Sequence, residues 1–292
     1  MSGIPKKAGC YTVTVTAKRG KETQVATITF NVEALPSWVV GKFYGYVDVY
    51  GSDWEWPNAA EVSISADGVV KASVRDCDNT LLSFKTTGLT FVDDDTYRFS
   101  GEVDTVDQTS RLTCNIIGNY VAGNSGPIFG VITGGEVGVE EGDDFTSDWY
   151  ACQDMYTAKP QGVVLPKFNT KDATLEYEIN GLNSSRFNTA LPNGKLTFKF
   201  GANGAVTPKW DGYDKFKMIP AHLTPYFFDN NKNTVIASLW VVGMYEGRDK
   251  EGEMGIYFDL EIPCDANGMA NASDVKVISC APVLVDYDPY DD

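Results

Sequence analysis

The sequence is poor in the residues that metal and nucleophile chemistry requires. Its 292 residues include a single histidine, His222, and its six cysteines form no C-x-x-C pair. A zinc site needs clustered Cys and His ligands, and thiol redox catalysis needs its paired motif. The sequence therefore predicts no metal site and no cofactor. No serine-nucleophile motif lies near His222, which we interpret as a structural or surface residue.

Positive charge and long apolar runs are also scarce. The chain has 24 Lys and Arg against 40 Asp and Glu, which gives a formal net charge of −16. Such a field repels nucleic acid and anionic membranes, so neither is an expected partner. No run reaches the ~18 apolar residues of a membrane span, and we expect no membrane insertion. The first residues carry no apolar signal core, so an export signal would have to lie outside this chain.

Helical patterns are few, and the only candidate is a short one over 148–157. Period-two alternation of β-branched or aromatic residues with polar ones dominates instead, as is typical of half-buried strands. The sequence therefore predicts an all-β protein. Predicted strands are 11–17, 26–32, 42–50, 61–66, 69–74, 81–85, 96–103, 111–117, 173–179, 195–200, 205–210, 234–242, 255–262 and 275–279.

Two segments of the chain resemble each other. EVSISADGVVKASV at 61–74 and KLTFKFGANGAVTPKW at 195–210 both place Ala-Asp/Asn-Gly-x-Val between alternating strands. Asp-Gly and Asn-Gly suit two-residue hairpin turns. Each segment is followed by Phe-Lys and a further strand, which favours a diverged duplication. Two unrelated meanders that use the same common turn are the alternative.

Composition divides the chain into three predicted parts. Residues 1–36 form a hairpin that ends at Glu33-Ala-Leu-Pro-Ser37, residues 37–140 form a first barrel-like unit, and residues 141–292 form a second unit with an acidic tail. The acidic, glycine-rich stretch 135–148 is predicted to be the linker between the units. Many short strands joined by hairpin turns are typical of small antiparallel barrels or sandwiches.

The six scattered cysteines suit structural disulfides of an oxidising compartment. The candidate bonds are Cys264–Cys280 and Cys77–Cys114, because each pair brackets a predicted strand-turn-strand segment. The alternative is a set of buried thiols, since free cysteine packs like a small apolar residue.

The first strands resemble a known class of module. Ala8-Gly9, Tyr11-Thr-Val-Thr-Val-Thr16 and Ala26-Thr-Ile-Thr-Phe-Asn-Val32 resemble the last two strands of the immunoglobulin- or cadherin-like repeats of large bacterial secreted and surface proteins. The resemblance covers about 30 residues and departs from the family at Cys10, where a Thr or small residue is usual. It implies an extracellular or cell-surface location and an incomplete Ig-like module. Its apolar face would need cover from the barrels or from another chain, by strand addition or swapping.

Aromatic residues in loops are the candidate ligand-binding residues. Trp54 and Trp56 lie beside acidic residues in YGSDWEWPN, and Trp210 and Tyr213 flank Asp211-Gly212. Exposed rings can stack on sugar faces while neighbouring acids bind hydroxyls. The alternative is that one Trp of each pair fills a barrel end, because Trp is usually buried.

Acidic runs are the only candidates for catalysis. Asp93-Asp94-Asp95 and Glu246, Asp249, Glu251 and Glu253 could supply the paired carboxylates of a glycoside hydrolase. Both runs lie in turn-like segments, where charged residues are usually solvated. We therefore predict no catalytic residues.

Together these features predict a non-catalytic module of a secreted or cell-surface bacterial protein that mediates binding, adhesion or assembly. The expected partner is a glycan or a protein on another surface, with strand-mediated self-association through residues 10–32 as a further possibility. The alternative is a glycan-active enzyme or accessory region of the glycoside hydrolase or lyase type, which would use acidic and aromatic residues.

Overall fold

The structure, a computed structural model, confirms the predicted all-β class. It describes residues 7–50, 55–75, 80–104, 109–119, 129–138, 146–160, 163–169, 173–180, 193–212, 216–229, 232–246 and 251–286. The strands are β1 Gly9–Arg19, β2 Glu22–Val32, β3 Gly41–Tyr50, β4 Glu55–Ile64, β5 Val70–Arg75, β6 Thr80–Thr86, β7 Thr90–Asp93, β8 Thr96–Asp104, β9 Thr109–Asn119, β10 Phe129–Gly138, β11 Thr146–Gln153, β12 Lys167–Phe168, β13 Thr174–Ile179, β14 Gly194–Phe200, β15 Ala205–Gly212, β16 Phe216–Met218, β17 Ala221–Asp229, β18 Thr234–Glu246, β19 Glu251–Pro263, β20 Met269–Ala270 and β21 Lys276–Asp286.

Strands β1 and β2 form the predicted N-terminal hairpin as a separate two-stranded sheet. Tyr11 lies opposite Phe30 and Val13 opposite Ile28, so one face is apolar and the other is rich in threonine. Gly20 turns the chain between the strands with φ of 61°, a backbone conformation that glycine adopts without strain.

The two large sheets do not cover this hairpin. Val15, Ile28 and Phe30 remain 46%, 58% and 38% exposed, and both strands are exposed along most of their length. Docking of the apolar face on the chain's own barrels, one of the two expected kinds of cover, is therefore not observed. A two-stranded sheet without a packing partner is marginal in water.

The first large sheet has nine antiparallel strands in the order β6-β5-β4-β3-β11-β10-β9-β8-β7. It consists of two meanders, β3 to β6 and β7 to β11, joined where β3 pairs with β11. The sheet curls strongly into a half-barrel, so that Phe84 of β6 packs against Phe99 of β8 with ring centroids 6.1 Å apart.

The second large sheet is also a curled antiparallel half-barrel. Its order is β13-β14-β15-β17-β18-β19-β21, and β16 pairs with β18 beside that path. A short parallel pair, β12 and β20, forms a separate sheet that packs on the same core, where Phe168 stacks on Phe200. Two barrel-like units were predicted, and these two sheets confirm that architecture.

Strand β11 changes the interpretation of the middle of the chain. It pairs with β3 and β10, so the first sheet extends beyond residue 140 to Gln153. The first half of the short helix candidate at 148–157 lies in strand β11. Only Met155–Ala158 is helical (α1), and the Asp154 carboxylate caps this turn by accepting from the Tyr156 N–H at 3.0 Å. No helix in the described part of the chain is long and apolar enough to cross a membrane.

The central strands of the first sheet are buried on both faces. In β10, Ile132 points into the core inside the first half-barrel, whereas Phe129 and Val131 belong to the core of the second sheet. In β11, Ala151 belongs to the core of the first half-barrel and Cys152 to the core of the second sheet. The two sheets therefore pack against each other along β10 and β11, because alternate residues of a strand point to opposite faces.

The predicted disulfides are not formed among the described residues, where the cysteines are free thiols. Cys280 lies opposite Phe258, and Cys264 lies six residues beyond Phe258 on the same strand path. At ~3.3 Å per residue this offset is about 20 Å, whereas a disulfide needs its Cα atoms within about 7 Å. Cys114 is buried in the first core, and Cys77 lies outside the described residues.

Candidate binding site

The structure does not place Trp210 at a ligand-accessible surface. Trp210 is only 6% exposed and packs edge-on against Phe216, with ring centroids 5.5 Å apart. A Cβ at Gly194 would lie 2.3 Å from its ring, so that glycine provides the space for the indole. Trp210 fills the core of the second sheet, as in the alternative that the sequence left open for one Trp of each pair, and its role in ligand binding stays a prediction.

The other predicted aromatic residues are not tested by the described contacts. Trp54 and Tyr213 lie outside the described residues. Trp56 is in β4, where it pairs with Val49, but its side chain is outside the described part of the chain.

A cleft between the two large sheets is the best candidate site. Its volume is about 310 Å³, which is at the lower end of the range for small-ligand pockets. The first sheet contributes residues of β3, β4, β5 and β11, and the second contributes residues of β15, β17, β18 and β19. The side chains that line it include Tyr44, Tyr46, Glu61, Arg75, Tyr150, Cys152, His222, Thr224, Ser238, Trp240 and Tyr257.

Aromatic rings from both sheets meet in this cleft. Tyr46 of β3 lies 4.7 Å from Trp240 of β18 and 5.7 Å from Tyr150 of β11, measured between ring centroids. Trp240 is 8% exposed, and its Nε1 is buried without a hydrogen-bond partner among the described residues. An unmet buried donor costs about 1–3 kcal/mol, so an acceptor that reached it would stabilise the cleft.

The strand period explains why the tyrosines lie here. In β3, Phe43 and Val47 are fully buried in the first core, so Tyr44 and Tyr46 point to the opposite face, toward the second sheet. Neither tyrosine was predicted from the sequence as part of a site. The available signal was a strand with large aromatic side chains on both faces, within GKFYGYV.

Hydroxyl groups line the part of the cleft formed by the second sheet. Thr224 Oγ1 donates to the Ser238 carbonyl oxygen at 3.1 Å. The Tyr257 hydroxyl donates to Asp259 Oδ1 at 2.8 Å, and Asp259 also accepts from Tyr226 and Ser279. Burial, followed by this hydrogen bond to Asp259, raises the pKa of Tyr257. Thr224 and Tyr257 thus donate their single hydroxyl protons within the protein, and their oxygens can accept hydrogen bonds from a ligand.

Charged side chains occupy the rim of the cleft. Lys42 Nζ lies 3.1 Å from Glu61 Oε1 and 3.5 Å from the Tyr44 hydroxyl. The hydrogen bond to Glu61 raises the pKa of Lys42, and burial raises the pKa of Tyr44. Arg75 is exposed at the same cleft. Lys42 partly neutralises Glu61, and Arg75 leaves one exposed positive charge at the rim.

His222 connects the two sheets at one end of the cleft. Its ring stacks on Tyr44 with centroids 4.2 Å apart, and its Nε2 lies 3.9 Å from Asp154 Oδ1. Burial lowers the pKa of His222, and the nearby Asp154 carboxylate partly opposes that shift. Its structural role agrees with the interpretation from sequence, but its position in the cleft was not anticipated.

The described groups of the cleft do not form a nucleophilic or metal centre. Burial raises the pKa of Cys152 to about 11, whereas reactive cysteines need a lowered pKa. Glu61 is the single carboxylate that lines the cleft among the described residues. No group of three or more His, Cys, Asp or Glu side chains in the described ranges is arranged to hold a metal ion.

The acidic runs considered for catalysis lie elsewhere. Asp93, Asp94 and Asp95 are exposed at the turn between β7 and β8. Residues 246, 251 and 253 lie in β18 and β19 with side chains outside the described part, and Asp249 falls outside the described residues. None of the described members lines the cleft.

Comparisons with known proteins add no family assignment. No protein-family model matches the chain, and no curated protein or solved structure matches it.

Proposed function

We propose that this chain is a non-catalytic binding module of a secreted or cell-surface bacterial protein, and that it binds a glycan in the cleft between its two sheets. The observation that carries the proposal is the convergence of Tyr46 and Tyr150 from one sheet with Trp240 from the other. Aromatic faces cover the apolar C–H patches of a sugar ring, while hydroxyls bind its hydroxyl groups.

The polar groups of the cleft suit the hydroxyl groups of a saccharide. The hydroxyl oxygens of Ser238, Thr224 and Tyr257 lie on one wall and can accept hydrogen bonds. The buried Trp240 Nε1 is a donor without an acceptor among the described residues. A volume of about 310 Å³ suits one or two sugar rings better than a protein surface. The resemblance of β1 and β2 to the Ig-like repeats of bacterial surface proteins supports the extracellular location.

Glycoside hydrolysis is the less favoured alternative because only one carboxylate lines the cleft among the described residues. Glycoside hydrolysis by the usual route needs two carboxyl groups about 5 to 10 Å apart across the bond to be cleaved. The described lining supplies only Glu61, which is held by Lys42 at 3.1 Å. An enzyme of this kind would need a second acid at the cleft.

The test is a panel of oligosaccharides screened by calorimetry, with Trp fluorescence as a second readout. We expect Tyr46→Ala to weaken binding about tenfold or more, which corresponds to about 1.4 kcal/mol, because the stacking surface is lost. Tyr46→Phe keeps the ring and should retain most of the affinity. Tyr177→Ala removes a half-buried tyrosine outside the cleft and is the matched control.

Four outcomes would contradict the proposal. No binding to any oligosaccharide removes the glycan assignment. An equal loss of oligosaccharide affinity in Tyr46→Ala and Tyr177→Ala indicates a general loss of folding rather than the loss of a binding site. Release of reducing sugar ends during incubation favours the enzyme, and loss of binding in Trp56→Ala alone returns the site to the loop predicted from sequence.

A further inference from the structure

The N-terminal hairpin presents an uncovered apolar face, and this face does not depend on the cleft. It is formed by β1 and β2, with Tyr11, Val13, Val15 and Ala17 opposite Phe30, Ile28, Ala26 and Gln24. Ile28 and Val15 are 58% and 46% exposed. Apolar faces of this size on an exposed sheet usually mark an interaction surface. We infer that the face is covered by the same face of a second copy of this chain, in an antiparallel two-fold dimer.

The shape of the face supports an antiparallel arrangement. Its bulky end lies at the base of the hairpin, where Tyr11 and Phe30 stack with centroids 5.8 Å apart. Its small end lies near the tip, where Ala17 pairs with Gln24 and Ala26 pairs with Val15. When two copies lie antiparallel, the bulky end of each meets the small end of the other, which makes the two faces complementary in shape.

The charge of the chain supports the same arrangement. The hairpin tip carries Lys18, Arg19 and Lys21 beside Glu22, so it is net positive in a chain of net charge −16. The exposed turn between β7 and β8 carries Asp93, Asp94 and Asp95. Opposite charges across an interface steer association and fix its register.

The tip cannot reach this acidic turn within one chain while the hairpin extends from its base. The base lies near the turn. Burial, and then the charge of Glu33 directly after β2, raise the pKa of Tyr97, and the Tyr97 ring contacts Phe91 beside the acidic turn, with centroids 5.6 Å apart. Strands of 11 residues span about 35 Å at ~3.4 Å per residue. The tip is therefore a hairpin length away from its own acidic turn. In the antiparallel dimer each tip lies at the base of the partner's hairpin, beside the partner's acidic turn.

The predicted interface is small. A face about 35 Å long and about 10 Å wide covers roughly 350 Å² on each copy, which is below the ~600 Å² per partner of the smallest standard interfaces. We therefore expect a dimer that dissociates on dilution. Because part of its stability comes from exposed charges, it should also weaken as the salt concentration rises.

Sedimentation of the full chain across a wide range of concentrations, at low and high salt, tests this inference. We expect the mass to rise from one copy to two with increasing concentration. Ile28→Lys places a charge in the apolar face and should keep the protein monomeric. Thr27→Lys adds the same charge at the neighbouring position on the threonine face, and should leave the dimer intact.

A charge exchange tests the register of the two copies. Arg19→Asp and Asp94→Arg should each weaken the dimer, and the double variant should recover it because the opposite charges meet again with reversed sign. A protein that stays monomeric at every concentration overturns the inference. So do stronger effects of Thr27→Lys than of Ile28→Lys, no recovery in the double variant, or a ladder of species larger than two copies.

Discussion

His222 is the residue at which the two sheets depend most closely on each other. It belongs to the second sheet, yet its ring stacks on Tyr44 of the first sheet and lies beside the buried Asp154 carboxylate. Asp154 in turn caps α1, immediately after β11. A charge on His222 would therefore be placed in a buried position that holds both sheets together.

This position predicts a pH-dependent stability. Burial lowers the pKa of His222 below its ordinary value of about 6.5. As the pH falls below that value, the imidazole of the unfolded chain therefore binds a proton more readily than that of the folded chain. The free energy of unfolding should fall as the pH drops from 7 toward 5.5, by at most about 1.4 kcal/mol per pH unit. His222→Phe keeps a ring on Tyr44 and should flatten this dependence, as measured by urea unfolding at several pH values.

The chain is well suited to this measurement because His222 is its single histidine. Most carboxylates titrate below the chosen range, since their ordinary pKa values lie near 4. If the free energy of unfolding changes equally with pH in the unmodified protein and in His222→Phe, other groups account for the pH dependence.

Sequence alone could not assign His222 to the cleft. The groups around it, Tyr44 and Asp154, lie far away along the chain and approach it only because the two sheets pack together. The same holds for Tyr46 and Trp240. Local pattern predicted that Tyr44, Tyr46 and Trp240 lie in strands, but it did not predict the strand that contains His222. The contacts that make the site are between sheets, and local pattern does not show them.

At the level of elements, one turn recurs three times. In each turn a backbone N–H donates to the carbonyl oxygen four residues later: Ser65 to Val69, Gly201 to Ala205 and Asp265 to Met269. In all three turns the residue before that acceptor is a glycine. Gly68, Gly204 and Gly268 have φ of 77°, 78° and 82°. The turn is longer than the two-residue turn predicted for Asp67-Gly68 and Asn203-Gly204, and only its glycine takes positive φ.

Two of these glycines provide a matched pair for mutation. A Cβ at Gly68 would have no neighbour closer than 3.9 Å, whereas a Cβ at Gly204 would lie 2.4 Å from the Tyr156 ring and 2.9 Å from His222. Gly68→Ala should cost about 1 kcal/mol, from the backbone conformation alone. Gly204→Ala should cost about 2 kcal/mol more because the rings must move. Urea unfolding measures both, and equal costs would contradict the crowding at Gly204.

The recurring turn also explains what the internal resemblance of the sequence means. The hairpins β4–β5 and β14–β15 have the predicted strands and the same turn. The next strands differ, because β6 pairs with β5 whereas β16 pairs with β18. The third occurrence of the turn, at 265–269, lies outside the proposed repeat. Sequence thus predicted hairpins well, and strand pairing over long distances less well, because pairing depends on the whole sheet.

At the level of the whole molecule, the packing of one sheet on the other depends on strands with two apolar faces. The run Trp149-Tyr-Ala-Cys152 in β11 has no polar residue to alternate with, and no strand was predicted there. Continuous apolar runs of this length are also typical of strands buried on both faces. The strand assignment accounts for the run, since its alternate residues fill two different cores.

Because these cores share β10 and β11, the two sheets should unfold together. Val131→Ala removes packing from the second core and Ile132→Ala from the first, although the two residues are adjacent. Each should lower the free energy of unfolding by about 1 to 4 kcal/mol and leave a single transition that circular dichroism and Trp fluorescence report at the same urea concentration. If the sheets were independent, Val131→Ala would shift only part of the signal and the two probes would separate. Coincident transitions in both variants would show that the shared strands couple the two half-barrels, and thus that the cleft between them has a fixed geometry in the folded protein.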